Sequence, residues 1–153
     1  MNRDFVEMLS ELSAAGVEFL VVGAHALAAH GVPRATGDID IWVRAVPDNA
    51  DRVLSALARF GAPLFDLKRE DLLREGTVFQ IGQPPARIDI LSSISGVAFE
   101  AAWPRRILVE IEGIAVPVLA REDFIANKRA AGRPKDLSDL DLLAEAGSFD
   151  EPD

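Results

Sequence analysis

The sequence predicts one α/β (α+β) domain: a mixed β-sheet with flanking helices and a helical pair at the C-terminus. Three observations predict it. Apolar, β-branched runs alternate with segments of helical period along all 153 residues. No internal repeat, low-complexity tract or long linker divides the chain. A hydrophobic fraction of 49% against 27% charged residues suits a chain of single-domain length with a real core. The domain is expected over residues 1–147, and 148–153 read as an acidic tail expected to be disordered.

Phe5, Met8, Leu9 and Leu12 fall at helical spacing and predict a helix over 4–15, with Asn2 or Asp4 as cap and Gly16 as stop. VEFLVV (17–22) reads as a buried strand, and Gly23 breaks it into a short alanine-rich helix, AHALAAH, ended by Gly31. VPRATG is a loop between Pro33 and Gly37, and DIDIWV is the second strand. Pro47 and Asp48 open a helix that runs to Phe60, with Val53, Leu54 and Leu57 on one face. Residues 66–75 read as a short polar helix. TVFQIG and ARIDILSS are strands joined by a GQPP turn, and GVAFEAAW is a short helix. ILVEIE and IAVPVL form a hairpin about Gly113, which could sit at a sheet edge; oligomeric state stays open. REDFIANKRAAG and KDLSDLDLLAEAG close the chain as two helices split at Arg133-Pro134, the second capped by Asp136 or Ser138.

Composition excludes several function classes. With no cysteine there is no disulfide, thiolate zinc site or cysteine nucleophile. No apolar run approaches membrane-spanning length, so no membrane role is expected. The N-terminal pattern is amphipathic rather than signal-like, so a cytoplasmic protein is expected. A formal net charge of −9 argues against a broad surface for a nucleic-acid backbone. The basic residues nevertheless cluster at Lys128, Arg129, Arg133 and Lys135, which accommodates a small anionic substrate.

The chemistry gathers at three aspartates. Side chains alternate along a strand, so Asp38 and Asp40 share a face at about 6.6 Å spacing while Ile39 and Ile41 point inward. RIDIL repeats the pattern with Asp89 outward between Ile88 and Ile90, and a neighbouring strand could bring it alongside. Aspartate is a poor strand former, and like charges on one face repel, so a compensating cation is expected. Mg²⁺ takes hard oxygen ligands and shares them with substrate phosphates. Gly23, between strand and helix, would let backbone N–H groups approach a phosphate; a plain turn needing a small residue is the other reading.

Taken in order, Gly23 after an apolar strand, a short helix, Asp38-Ile39-Asp40 and a later Asp89 resemble the nucleotidyltransferase superfold. GAHALAAHGVPRATGDIDIWV and KRAAGRPKDLSDLDLL are similar to the small transferases that include AbiEii-like toxins of toxin–antitoxin systems, and the likeness spans most of 17–143. The resemblance implies a nucleotidyltransferase-like sheet with Asp38, Asp40 and Asp89 catalytic, holding one or two Mg²⁺ (or Mn²⁺) ions against a nucleoside triphosphate such as ATP. Asp89 would also accept the proton of an incoming hydroxyl. A nucleoside monophosphate would pass to tRNA or a protein, with a cognate antitoxin as a further partner. One departure is Ala24, where the family's turn carries Gly or Ser; it removes a hydroxyl contact to phosphate and leaves the backbone amides.

Around this set, Arg34 and Thr36 either contact phosphate with Gly23 and Ala24 or are a surface arginine and a turn threonine. Lys128 either neutralises outgoing pyrophosphate or is an exposed helix charge. Asp136 reads as a helix cap, while Asp139 could orient Lys128 or Arg133 from behind the site. His25 and His30 are about 140° apart on a helix and make no metal pair. Trp42 and Trp103 read as packing rather than base-stacking platforms. Two other functions fit the same residues. One is adenylylation of a small hydroxylated molecule such as an aminoglycoside, which an acidic surface favours over RNA. The other is a degenerate module that binds nucleotide or protein without turnover, for which Ala24 is the motive.

Overall fold

Alternation in the two Ile-Asp-Ile runs decides how the sheet is dressed: the isoleucines are fully buried and the aspartates take the opposite side. The computed structural model describes residues 1–32 and 37–150, with side chains to residue 146. Helix α1 (Arg3–Ala14) leads into β1 (Phe19–Val22), α2 (Gly23–Ala29) and β2 (Ile39–Val43). Then come α3 (Pro47–Phe60), α4 (Arg69–Leu73), β3 (Val78–Ile81) and β4 (Ile88–Leu91). A short α5 (Phe99–Ala102) with a 3₁₀ turn, the hairpin β5 (Ile107–Ile111) and β6 (Ile114–Val118), α6 (Arg121–Ala131) and α7 (Pro134–Asp150) complete the chain. Among the described residues no helix is long and apolar enough to cross a membrane.

The strands form one mixed sheet in the order β3-β4-β2-β1-β6-β5. β1 runs antiparallel to β2 and parallel to β6, and β2 runs parallel to β4. Phe5, Met8, Leu9 and Leu12 of α1 and Ala50, Val53 and Leu57 of α3 join Ile39, Ile41, Ile88 and Ile90 in one core. Trp42, on the aspartate side of β2, meets Phe99 edge-on at 5.0 Å, and Phe99 stacks on Trp103 at 5.5 Å. Both tryptophans therefore pack. Glu112 and Gly113 both take positive φ (46° and 83°), the two-residue turn that matches hairpin twist, and this leaves β5 at the sheet's edge.

Two boundaries differ from the sequence reading in ways that have physical causes. The last helix begins at Pro134, because proline at the first helical position forgoes only an N–H that would lack a partner anyway. Asp136 and Ser138 therefore lie inside it and neither is the N-cap; Asp136 instead reaches back to accept the N–H of Arg133 at 3.1 Å. The same helix passes through residue 147 and runs to Asp150, while residues 151–153 of the expected tail lie outside the described residues.

Register between β1 and β2 is fixed at the end away from the aspartates. Buried Asn49 accepts the N–H of Glu18 at 2.8 Å and donates to the carbonyls of Glu18 and Arg44, each at 3.0 Å. A one-residue slip would turn Asp40 to the core face, so this clamp guards the site from a distance. Asn49→Ala leaves the Glu18 N–H without its partner, while the carbonyls of Glu18 and Arg44 keep the N–H groups of Arg44 and Val46. It should lower stability by about 1–3 kcal/mol, read as a fall in the urea midpoint at constant slope; a shift under half of that would show the clamp to be dispensable.

Candidate active site

Asp40 is paired in register with Val22 on one side and Asp89 on the other. Residues opposite each other in neighbouring strands lie about 4.8 Å apart, so the two carboxylates sit side by side. Asp38, two residues before Asp40, shares its parity. Its Oδ1 accepts the backbone N–H of Arg87 at 3.0 Å, and its Oδ2 lies 3.3 Å from the Arg87 guanidinium. That guanidinium also grips Asp89 in a two-pronged contact, Nε to Oδ1 at 2.7 Å and Nη2 to Oδ2 at 3.2 Å. All three aspartates line one polar cavity of about 420 Å³. Gly23, Ala24, Lys128, Arg133 and Asp139 line it too, so most of the residues singled out in the sequence meet in one place. Arg34 and Thr36 lie outside the described residues.

Gly23 has two reasons to be glycine. Its φ is +67°, and a Cβ there would overlap the Asp40 carboxylate. The chain thus turns from β1 into α2 directly against the acidic pair, with Ala24 next along the same wall.

Asp40 carries the electrostatic cost of this arrangement. Burial, then the charge of Asp89, then the hydrogen bond with it raise the Asp40 carboxyl to about 6, with Lys128 pulling it down and Asp38 pushing it up. Asp40 therefore holds its proton into mildly acidic pH. Among the described residues no three Asp, Glu, His or Cys side chains are gathered closely enough to hold a metal ion as they stand. Arg87 meanwhile holds Asp38 and Asp89. The donor set nevertheless fits a hard divalent cation. Three carboxylates face one cavity, glycine leaves room beside Asp40, and a guanidinium already stands in as the counter-cation.

Lys128 is neither exposed nor alone. Its Nζ lies 3.2 Å from Asp136 Oδ1 and 3.5 Å from Asp139 Oδ2, with only 8% of the residue exposed. Asp136 is fully buried, and its hydrogen bonds from Arg133 first, then Lys128, hold its carboxyl far below the usual range. Asp136 thus ties the start of α7 to Lys128, and Asp139, on the cavity wall, lies where it can orient Lys128. His25 packs edge-on against Phe5, and His30 makes a 2.7 Å hydrogen bond with the carbonyl of Leu119.

Three cavity residues were not among the predicted site residues: Gly37, Arg87 and Lys135. Arg87 had a signal. It precedes Asp89 by two, so in an extended segment it must point the same way. Lys135 had only membership of a basic cluster.

A family model described as the nucleotidyl transferase AbiEii toxin of a type IV toxin–antitoxin system matches residues 7–153. No curated protein matches the chain. Among solved structures, the chain is similar to a candidate nucleotidyltransferase from Thermotoga maritima, with 17% identity over 94% of this chain and 89% of that one, at a TM-score of 0.59. It is also similar to the lincosamide antibiotic adenylyltransferase LnuA bound to lincomycin: 12% identity over 95% and 98%, TM-score 0.61. The antibiotic-resistance factor ANT(2'')-Ia matches with 15% identity over 93% and 81%, TM-score 0.60. At these identities the three structures share the fold.

The raised Asp40 makes a signed prediction. Its folded value of about 6 stands above the ordinary 3.8, so the folded state holds this proton more tightly than the unfolded chain. Its contribution to stability is complete below about pH 4 and is lost as pH rises through about 6. Asp40→Asn removes that loss and should stabilise the metal-free protein at pH 7 by about 1–3 kcal/mol, with little gain at pH 4. Urea denaturation in EDTA at both pH values measures this, and an equal shift at the two would contradict the assignment.

Proposed function

The chain belongs to the AbiEii nucleotidyl transferase family, and from that premise we propose that it moves a nucleoside monophosphate from a nucleoside triphosphate to a hydroxyl of a tRNA or a protein. One observation carries this reading: Asp40 and Asp89 are in register on adjacent strands, with Asp38 and the glycine turn on the same cavity. Bound Mg²⁺ (or Mn²⁺) would neutralise the phosphate oxygens and the charge that develops on them.

The chain's own groups supply the rest. Asp38 and Asp40 offer carboxylate oxygens to the cation, and the backbone at Gly23 and Ala24 comes close to the phosphates without a side chain between. Ala24 lacks a hydroxyl, so that contact falls to main-chain N–H groups. Asp89, on the cavity wall, takes the proton of the acceptor hydroxyl as its oxygen bonds to the α-phosphorus. The bond from the α-phosphorus to the bridging oxygen breaks, and pyrophosphate leaves toward Lys128 and Lys135. No covalent enzyme intermediate is required. The family's toxin–antitoxin setting makes a cognate antitoxin the expected partner.

A second acceptor class has one observation in its favour. A formal net charge of −9 repels a polyanionic RNA, which suits a small hydroxylated acceptor such as an aminoglycoside. Incubation with α-labelled ATP, CTP, GTP and UTP against total RNA, cell protein and small hydroxylated compounds separates the classes. Label is expected in the RNA or protein pool, and Asp40→Ala or Asp89→Ala should reduce its appearance by roughly 10²–10³-fold or more. Nucleotide binding without transfer to any pool would replace this function with a binding role.

A further inference from the structure

Resting on the metal-dependent reading above, we propose that Arg87 is the built-in place-holder of the cation site. Its guanidinium occupies the carboxylate oxygens that a divalent ion needs, and it yields them when the ion arrives.

Arg87 covers the acidic group more completely than an ordinary surface ion pair would. Its backbone N–H and its guanidinium between them engage both oxygens of Asp38. The same guanidinium engages both oxygens of Asp89. Two-pronged guanidinium–carboxylate contacts are charge-assisted and strong, so they hold in the absence of any other cation. Asp89 is only 7% exposed, and without Arg87 its charge would face Asp40 with little solvent to screen it. The metal-free protein therefore needs this residue, while the metal-bound protein has to move it aside. No three carboxylates close on a single point while Arg87 lies between them.

The side chain has somewhere to go. It is about a quarter exposed (26%), it lies on the cavity wall, and it is attached just before β4. Once evicted, the guanidinium suits phosphate oxygens as well as it suits carboxylates. Cation and triphosphate then assist each other: the cation releases Arg87, and the phosphates receive it. Such coupling is reciprocal by linkage.

The test is Mn²⁺ binding to the full chain without nucleotide, followed by the electron paramagnetic resonance signal of free ion. A place-holder competes with the metal, so Arg87→Gln should bind Mn²⁺ about tenfold or more tightly than the unsubstituted protein. A simple structural brace gives the opposite, because losing it would let the carboxylates splay. Circular dichroism checks folding. Should the glutamine variant fail to fold, Arg87→Lys keeps the charge but not the fork, and a several-fold tightening is expected. A folded variant that binds Mn²⁺ no more tightly than the unsubstituted protein overturns the place-holder alone, provided that Asp40→Asn abolishes the binding seen. Absence of Mn²⁺ binding in both proteins would remove the inference and the metal-dependent reading together.

Discussion

Carboxylates carried in register on adjacent parallel strands cannot avoid each other. At about 5 Å and an effective dielectric near 20, two such charges repel by about 3 kcal/mol. The Asp40–Asp89 pair is fixed by the sheet's register, so the surroundings must answer for it. Protonation answers in part, through the raised Asp40. Arg87 answers from one side by gripping Asp89 and Asp38, and Lys128 answers from the other by lowering the cost of ionising Asp40. Gly23 answers sterically, by leaving the space that its own side chain would have taken from Asp40.

Charge continues to alternate outward from that pair. Lys128 faces the acidic centre and is itself held by Asp136 and Asp139, and Asp136 is held in turn by Arg133. Burial of an ion pair seldom adds stability, since desolvation offsets the attraction. Its effect here is placement. Asp136 takes the N–H of Arg133 as well as the ammonium of Lys128, so the start of α7 and the cavity cation are fixed by one carboxylate. A chain with net charge −9 thereby keeps its cations where an anionic substrate would meet them.

The legible part of this structure was the part written in side-chain period. Ile-Asp-Ile twice over named the buried and exposed faces of β2 and β4, and Gly23 between an apolar strand and an alanine-rich run marked the turn. Those signals are local, and they brought Asp38, Asp40 and Asp89 to one cavity. What the period did not carry was partnership. The Lys128–Asp139 pairing, one option in the sequence reading, is realised through how α6 and α7 pack, and no spacing rule fixes that angle. Pro134 displaced the expected cap because it competes for the first helical position, which moved Asp136 from cap to bridge. Arg87 fell between the two cases: its direction was readable from strand parity, but its grip on two carboxylates at once needed β2 beside β4.

Ala24 is the residue that most favours a chain that binds without turning over, and the electrostatics bear on that choice. A binding module has no use for a carboxylate pair whose repulsion opposes folding. Replacing one aspartate by asparagine would relieve the pair while keeping its size and hydrogen-bonding capacity. Sites that retain such tension lose stability in exchange for function. Ala24 removes one hydroxyl beside the phosphates, whereas the aspartates, the glycine turn and the cavity cations are all in place. A single missing hydrogen bond is worth about 0.5–1.5 kcal/mol, which weakens substrate binding by roughly tenfold at most. The acidic pair repels by about 3 kcal/mol before Arg87 and Lys128 answer it. This balance supports the transferase reading proposed above over a module that only binds.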